Sequence, residues 1–146
     1  MRLTAIAIAL SLAGCFAGSY NLDGATHTPA TADIDRPEAD VHRVAMRELV
    51  DMGHGIEHSE SESGVIMTDW RGDDCVEHVI GDGGTKCRRI RWRVISREGL
   101  VQVSAQCQIR ENQRAWAECA ANKYPPDADD TAAHIAGRIE SRAASE

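Results

Sequence analysis

A chain of 146 residues has room for one domain, and its composition narrows what that domain can do. Sixteen Lys and Arg against 23 Asp and Glu leave a formal net charge of −7. That balance argues against nucleic acid as a partner, because affinity there rests on neutralising phosphates with cations. With one Phe, two Tyr and three Trp, the core must come from Val, Ile, Leu, Ala and Met, and cross-links through the five cysteines would supplement it.

Met1-Arg2 is a short positive start, and Leu3 to Leu12 is apolar apart from Thr4 and Ser11. Such a run suits a signal segment of about 7–15 residues and falls short of the roughly 20 needed to span a bilayer. It ends in Leu12-Ala13-Gly14-Cys15, which resembles the lipobox at which bacterial lipoprotein precursors are acylated and cut. The resemblance implies that residues 1–14 are removed and that Cys15 becomes the lipid-bearing first residue, with the bilayer as its partner. An ordinary signal cut near Ala17-Gly18 is the alternative, and it would leave no anchor. Loss of residues 1–14 removes Arg2 alone among charged side chains, taking −7 to −8. One acyl chain binds marginally, at about 0.8 kcal/mol per buried CH₂, whereas two or more anchor stably. Among bacterial lipoproteins an aspartate after the modified cysteine favours inner-membrane retention; Phe16 here implies the periplasmic face of the outer membrane. The other four cysteines then lie in an oxidising compartment.

Residues 15–36 are rich in Gly, Ala, Thr and Asp without an apolar period, and read as a flexible tether in which His27 is solvated. A single domain is expected over residues 37–146. Asp35 suits a cap and Pro37 a first helical turn. Val41, Val44, Ala45, Leu49 and Met52 recur at helical spacing, with His42, Arg43, Arg47, Glu48 and Asp51 mostly opposite, and Gly53 stops the helix. Strands are expected over Ile56 to Ser61 and Gly64 to Trp70, with Ile66, Thr68 and Trp70 on one face and Trp70 in the core or at its rim. Arg71 to Lys86, dominated by Gly, Asp and Glu, reads as a long loop turning at Gly81-Asp82-Gly83-Gly84.

The clearest strands follow. Ile90, Trp92 and Val94 alternate with Arg89, Arg91 and Arg93; Val101, Val103, Ala105, Cys107 and Ile109 alternate with Gln102, Ser104, Gln106 and Gln108. Arg97-Glu98-Gly99 joins them as a hairpin. Ala115 to Ala120 suits an edge strand, Pro125-Pro126 breaks the chain, and Asp130 or Thr131 caps a last helix with the stripe Ala132, Ile135, Ala136, Ile139. The sum is an α+β fold: an antiparallel sheet of four to five strands with an N-terminal and a C-terminal helix on one face.

Cys75 and Cys87 bracket a predicted turn, and so do Cys107 and Cys119. Turn-closing bridges Cys75–Cys87 and Cys107–Cys119 are therefore expected, although four cysteines also allow two other pairings. The spacing fits neither a structural zinc site nor a C-x-x-C redox motif. No cofactor, metal or catalytic residue is expected: no serine sits in a G-x-S-x-G elbow, and the paired carboxylates look like turn and cap chemistry. A polar group of His54, Glu57, His58, Asp73, Asp74, Glu77 and His78 reads as a solvated loop. Its functional alternative is an envelope enzyme using Asp73 to His78, or a metal or ligand sensor using His54 and His58. The row Arg89, Arg91, Arg93 could receive an anionic partner or pair with the chain's own carboxylates; the second reading is preferred.

The stretch from Val41 to Trp70, with its helix ending at Met52-Gly53 and the following Ser63-Gly64-Val65-Ile66-Met67-Thr68-Asp69-Trp70, resembles the opening of small helix-grip lipoprotein domains. These include the repeats of the outer-membrane assembly lipoprotein BamC. The resemblance implies a non-catalytic, membrane-anchored binding or scaffolding domain with an envelope protein partner. The arginine row and the edge at Ala115 to Ala120 are its candidate surfaces.

Overall fold

The computed structural model describes residues 24–77, 84–97 and 99–146. The expectations for the signal segment, Cys15, His78, Glu98 and the Gly81-Asp82-Gly83 turn fall outside them. Strand β1 (Ala30–Ile34) is followed by helix α1 (Glu38–Asp51), strands β2 (Ile56–Glu60), β3 (Val65–Thr68), β4 (Arg71–Glu77), β5 (Thr85–Arg97), β6 (Gly99–Glu111) and β7 (Ala117–Glu118), and helix α2 (Ala128–Ser145). The strands form one seven-stranded sheet in the order β1-β6-β5-β3-β2, with β4 also pairing β5 and β7 also pairing β6. Every pairing is antiparallel. The α+β architecture with two helices is as expected; the sheet is larger than four to five strands.

The extra strands come from segments whose composition hides them. Ala30–Ile34 lies inside the expected tether, yet it pairs with β6 from Ala30↔Val103 to Ile34↔Gly99 and buries Ala32 and Ile34. The tether reading is thus corrected from residue 24 onward: two apolar side chains carry the strand, and the long β6 supplies its ladder. The Gly and Asp content of Arg71–Glu77 predicts a loop, but β3 covers only residues 93–95 of the thirteen-residue β5, and β4 takes the edge left at residues 85–90. Tertiary pairing overrides weak local propensity here.

Helix α1 begins one residue after Pro37, which occupies the cap position without a side-chain hydrogen bond, so Asp35 does not cap. Its buried stripe is wider than the apolar spacing shows, because His42 and Glu48 join Val41, Val44, Ala45 and Leu49. Helix α2 starts at Ala128, before the expected Asp130 or Thr131 cap, and buries Ala132, Ile135, Ala136 and Ile139 as the stripe requires. Both helices cover one face of the sheet. Their apolar stripes meet Ile66, Trp92, Val94, Val101, Val103 and Ala105 in a single core cluster. Gly64 is required where it stands: its φ is +67° and an added Cβ would lie 1.9 Å from the Ser96 carbonyl oxygen. That close approach lets Ser96 donate to the Gly64 carbonyl twice, through its backbone N–H at 2.8 Å and its hydroxyl at 3.0 Å.

Candidate functional site: an arginine and tryptophan face

The strand alternation that buries Trp92 and Val94 against the helices turns Arg89, Arg91 and Arg93 to the opposite face, which is helix-free among the described residues. The β5–β6 register sets Arg89 opposite Gln108, Arg91 opposite Gln106 and Arg93 opposite Ser104. The glutamines fix the guanidinium groups: Arg89 donates to Gln108 Oε1 through Nε at 3.0 Å and Nη2 at 2.7 Å, and Arg91 Nε donates to Gln106 Oε1 at 2.6 Å.

Two tryptophans complete the lattice. The Arg89 guanidinium lies 4.6 Å from the ring centre of Trp70 and 4.2 Å from that of Trp116, Arg91 lies 4.5 Å from Trp70, and Arg110 lies 4.6 Å from Trp116. Each distance is within cation–π range. Trp70 therefore belongs to this face and not to the core that strand parity with Ile66 and Thr68 predicts. The parity stops at Thr68, where β3 ends, and Asp69 and Trp70 lead into β4. Trp116 had no expected role; its position just before β7 is what carries it over Arg89 and Arg110. Arginines alternating along a strand in a chain with so few aromatic residues were the available signal.

The preference for internal pairing of the arginines is met in part. Arg91 pairs with Glu57. Among the described residues no carboxylate pairs with Arg93 or Arg110, and the buried Nε of Arg110 has no hydrogen-bond partner there. Beside the lattice a cleft of about 310 Å³ is lined by Trp70, Arg91, Arg93, Gln106, Glu118 and Tyr124, among others.

The disulfides hold both margins of this face. Cys75 is bonded to Cys87, its direct partner in the β4–β5 register, with a Cα separation of 4.1 Å. Cys107 is bonded to Cys119, with a Cα separation of 5.3 Å, and the Cys119 N–H donates to the Cys107 carbonyl at 3.0 Å. The first bridge locks the strand that follows Trp70, and the second locks the short β7 that follows Trp116. Beta-7 is the expected edge strand, shortened to Ala117–Glu118.

The other sequence candidates do not converge. Asp74 is engaged by the buried Arg88 at 2.7 Å, Glu57 by Arg91, and Glu77 lies at the end of β4 opposite Thr85. Burial, and secondarily the charge of Arg71, holds the His54 pKa below its ordinary value. No group of three or more His, Cys, Asp or Glu that could hold a metal ion occurs among the described residues.

The helical spacing predicts His42 on α1's polar face, but it is buried, with Nε2 2.9 Å from Ser59 Oγ and Nδ1 3.3 Å from Ser96 Oγ. Ser59 directs its own hydroxyl to Met46 Sδ at 2.8 Å, so the trio joins α1 to β2 and β5 and is not a nucleophile with its base. Desolvation lowers the His42 pKa, opposed by the Gly64 backbone and by Glu38.

The fold and this face define a two-layer α+β domain whose uncovered sheet surface carries ordered arginine and tryptophan. No family model matches the chain, and no curated protein matches it. Among solved structures, that of a DUF4468 family protein from Bacteroides ovatus is similar over 86% of this chain and 83% of the other, at 13% identity and a TM-score of 0.38. At that score the likeness carries no argument about fold or function.

Proposed function

We propose that the protein is an envelope lipoprotein, held in the outer membrane by acylated Cys15, whose domain is a non-catalytic binding or scaffolding module. The observation that supports the reading is the arginine lattice on the helix-free face. Interfaces draw their strongest contacts from Trp and Arg held in place before binding, and here glutamines and indole rings hold three arginines, Arg89, Arg91 and Arg110, before any partner arrives. Two disulfides fit an oxidising compartment. The charge of the face suits an anionic component of the envelope.

The test is a crosslinking pull-down from intact envelopes, comparing full-length protein with an Arg93→Glu, Arg110→Glu variant and with Cys15→Ser. An envelope component captured by the full-length chain and lost from the charge-reversed variant supports the reading, and its identity shows whether outer-membrane assembly is the process served. Equal capture by the charge-reversed variant overturns it.

A further inference from the structure

The segment from Gly24 to His27 lies along the β6 edge of the sheet. The Ala25 N–H donates to the Tyr124 carbonyl at 2.9 Å, and the Tyr124 N–H donates back to Ala25 at 3.1 Å. Gly24 packs so closely on this segment that an added Cβ would lie 2.6 Å from the Asn122 carbonyl oxygen and 2.7 Å from the Lys123 Cα. Tyr124 in turn lines the cleft with Trp70, Arg91 and Arg93. His27, in the same entering segment, is stacked on Tyr124 with ring centres 5.2 Å apart. Gly24 therefore sits at the β6 edge of the sheet, the margin where its two faces meet.

Cys15 to Gly24 is ten residues, which reach at most about 36 Å when fully extended. A lipid-bearing Cys15 would hold this margin near the bilayer surface, while the helices lie on the other side of the sheet. What the bilayer then meets is a surface of Arg93, Arg110, the Trp70 and Trp116 rings and Tyr124, next to Lys123. Tryptophan and tyrosine suit the headgroup level, where one end of the ring is apolar and the other wet, and arginine pairs with phosphate. The carboxylates that register places on this side of the sheet are Glu57, already paired with Arg91, Glu60, which accepts from Ser63, and Asp33 and Glu77 toward its ends, with Glu118 at the cleft. Arg93 and Arg110, which no carboxylate pairs among the described residues, lie beside the two indole rings and are the cations this face offers an anionic bilayer.

We propose that the arginine and tryptophan face docks flat on the phosphate headgroups of the membrane that the lipid anchor enters. The proposal rests on the lipoprotein reading for its geometry and names the anionic component that the face takes.

The test uses the mature full chain reconstituted in vesicles of phosphatidylcholine alone and of phosphatidylcholine with phosphatidylglycerol, with brominated acyl chains quenching tryptophan emission. Trp92 is buried in the core, so quenching reports Trp70 and Trp116. Docking predicts quenching that depends on phosphatidylglycerol and disappears at high ionic strength. Arg93→Gln and Arg110→Gln are each expected to lower the docked-to-free ratio about fivefold, the equivalent of about 1 kcal/mol per arginine at an anionic surface. Equal quenching in both vesicle types, or indifference to both substitutions and to salt, overturns the proposal. So does capture of an envelope protein through Arg93 with no vesicle-dependent quenching. Mass spectrometry of the amino terminus separates the two readings. An unacylated Cys15 overturns the anchor, whereas an acylated chain that fails the quenching test overturns the docking alone.

Discussion

His27 Nδ1 lies 2.7 Å from the carboxylate of Asp129, 102 residues further along the chain. On the other side of its ring, Nε2 accepts a hydrogen bond from the Ala105 backbone N–H at 2.8 Å. A single imidazole thereby fastens the entering segment to the first turn of α2 and satisfies a donor on β6 beyond the end of β1.

That arrangement predicts how the segment responds to acid. The Asp129 carboxyl is held below its ordinary value, first by the Thr28 backbone N–H and next by His27. A depressed carboxylate contributes stability that is complete above the unfolded value of about 3.9 and is lost as pH falls through the lower folded value. Protection of the amides of residues 25–34, corrected for intrinsic exchange, should therefore fall below about pH 4. Asp129→Asn should lower it at neutral pH and remove this acid dependence. Hydrogen exchange by mass spectrometry checks both, and unchanged protection in the variant would show that the ladder of β1 alone holds the segment.

The two helices are joined by Glu48, whose buried carboxylate accepts from Arg138 Nε at 2.7 Å and from Arg142 Nη1 at 2.9 Å. Arg142 also pairs with Asp51 and Glu146, and these hydrogen bonds, Asp51 first, raise its pKa. Hydrogen bonds to charged groups contribute about 1.5–3 kcal/mol. Glu48→Ala should lower unfolding stability by about that amount in a urea titration. Arg47→Ala, whose ion pair with Glu146 is open to solvent, should cost less than about 1 kcal/mol.

Stability should also decline as pH drops from about 7.5 to 5.5, the range around the ordinary histidine value of 6.5. The folded pKa values of His42 and His54 are both lowered, chiefly by burial. The unfolded chain then binds more protons than the folded one once pH falls toward 6.5, so stability is complete above that value and lost below it, levelling off beneath the folded values. Thermal midpoints across this range should fall steadily for the natural chain. His42→Gln should reduce the slope without abolishing it, because His54 contributes with the same sign. A slope unaltered by the substitution would place the titration elsewhere.

The sequence made the centre of the fold legible and concealed its margins. Beta-5 and β6 announce themselves because residues 89–94 and 101–109 alternate cleanly, and the cysteine spacing points to the bridges because each pair encloses one turn. Beta-1 is hidden because its ladder depends on β6, far along the chain, and β4 because its Gly and Asp content disguises a hairpin with the strand that follows it. The arginine row was visible as a row. Its tryptophan partners were not, since Trp70 escapes strand parity at the end of β3 and Trp116 sits in a stretch with no period of its own. His42 and Glu48 were placed on the wrong side of α1 for a related reason: a buried polar residue with a distant partner looks, in sequence, like a solvated one.

The bridge between Cys107 and Cys119 bears most directly on the face, because β7 pairs with β6 at only two positions, Gln108↔Glu118 and Ile109↔Ala117. So short a pairing cannot hold a strand against fraying. The covalent link therefore does most to keep Trp116 over Arg89 and Arg110. Replacing both cysteines by serine should cost about 3 kcal/mol in the chain-entropy account of a loop this size. It should also shift part of the tryptophan emission to longer wavelength as Trp116 enters water. Replacing Cys75 and Cys87 should cost a similar amount of stability with a smaller spectral change, because β4 keeps a longer ladder with β5. Equal spectra for the two double variants would mean that the cation–π contacts with Arg89 and Arg110 hold Trp116 unaided.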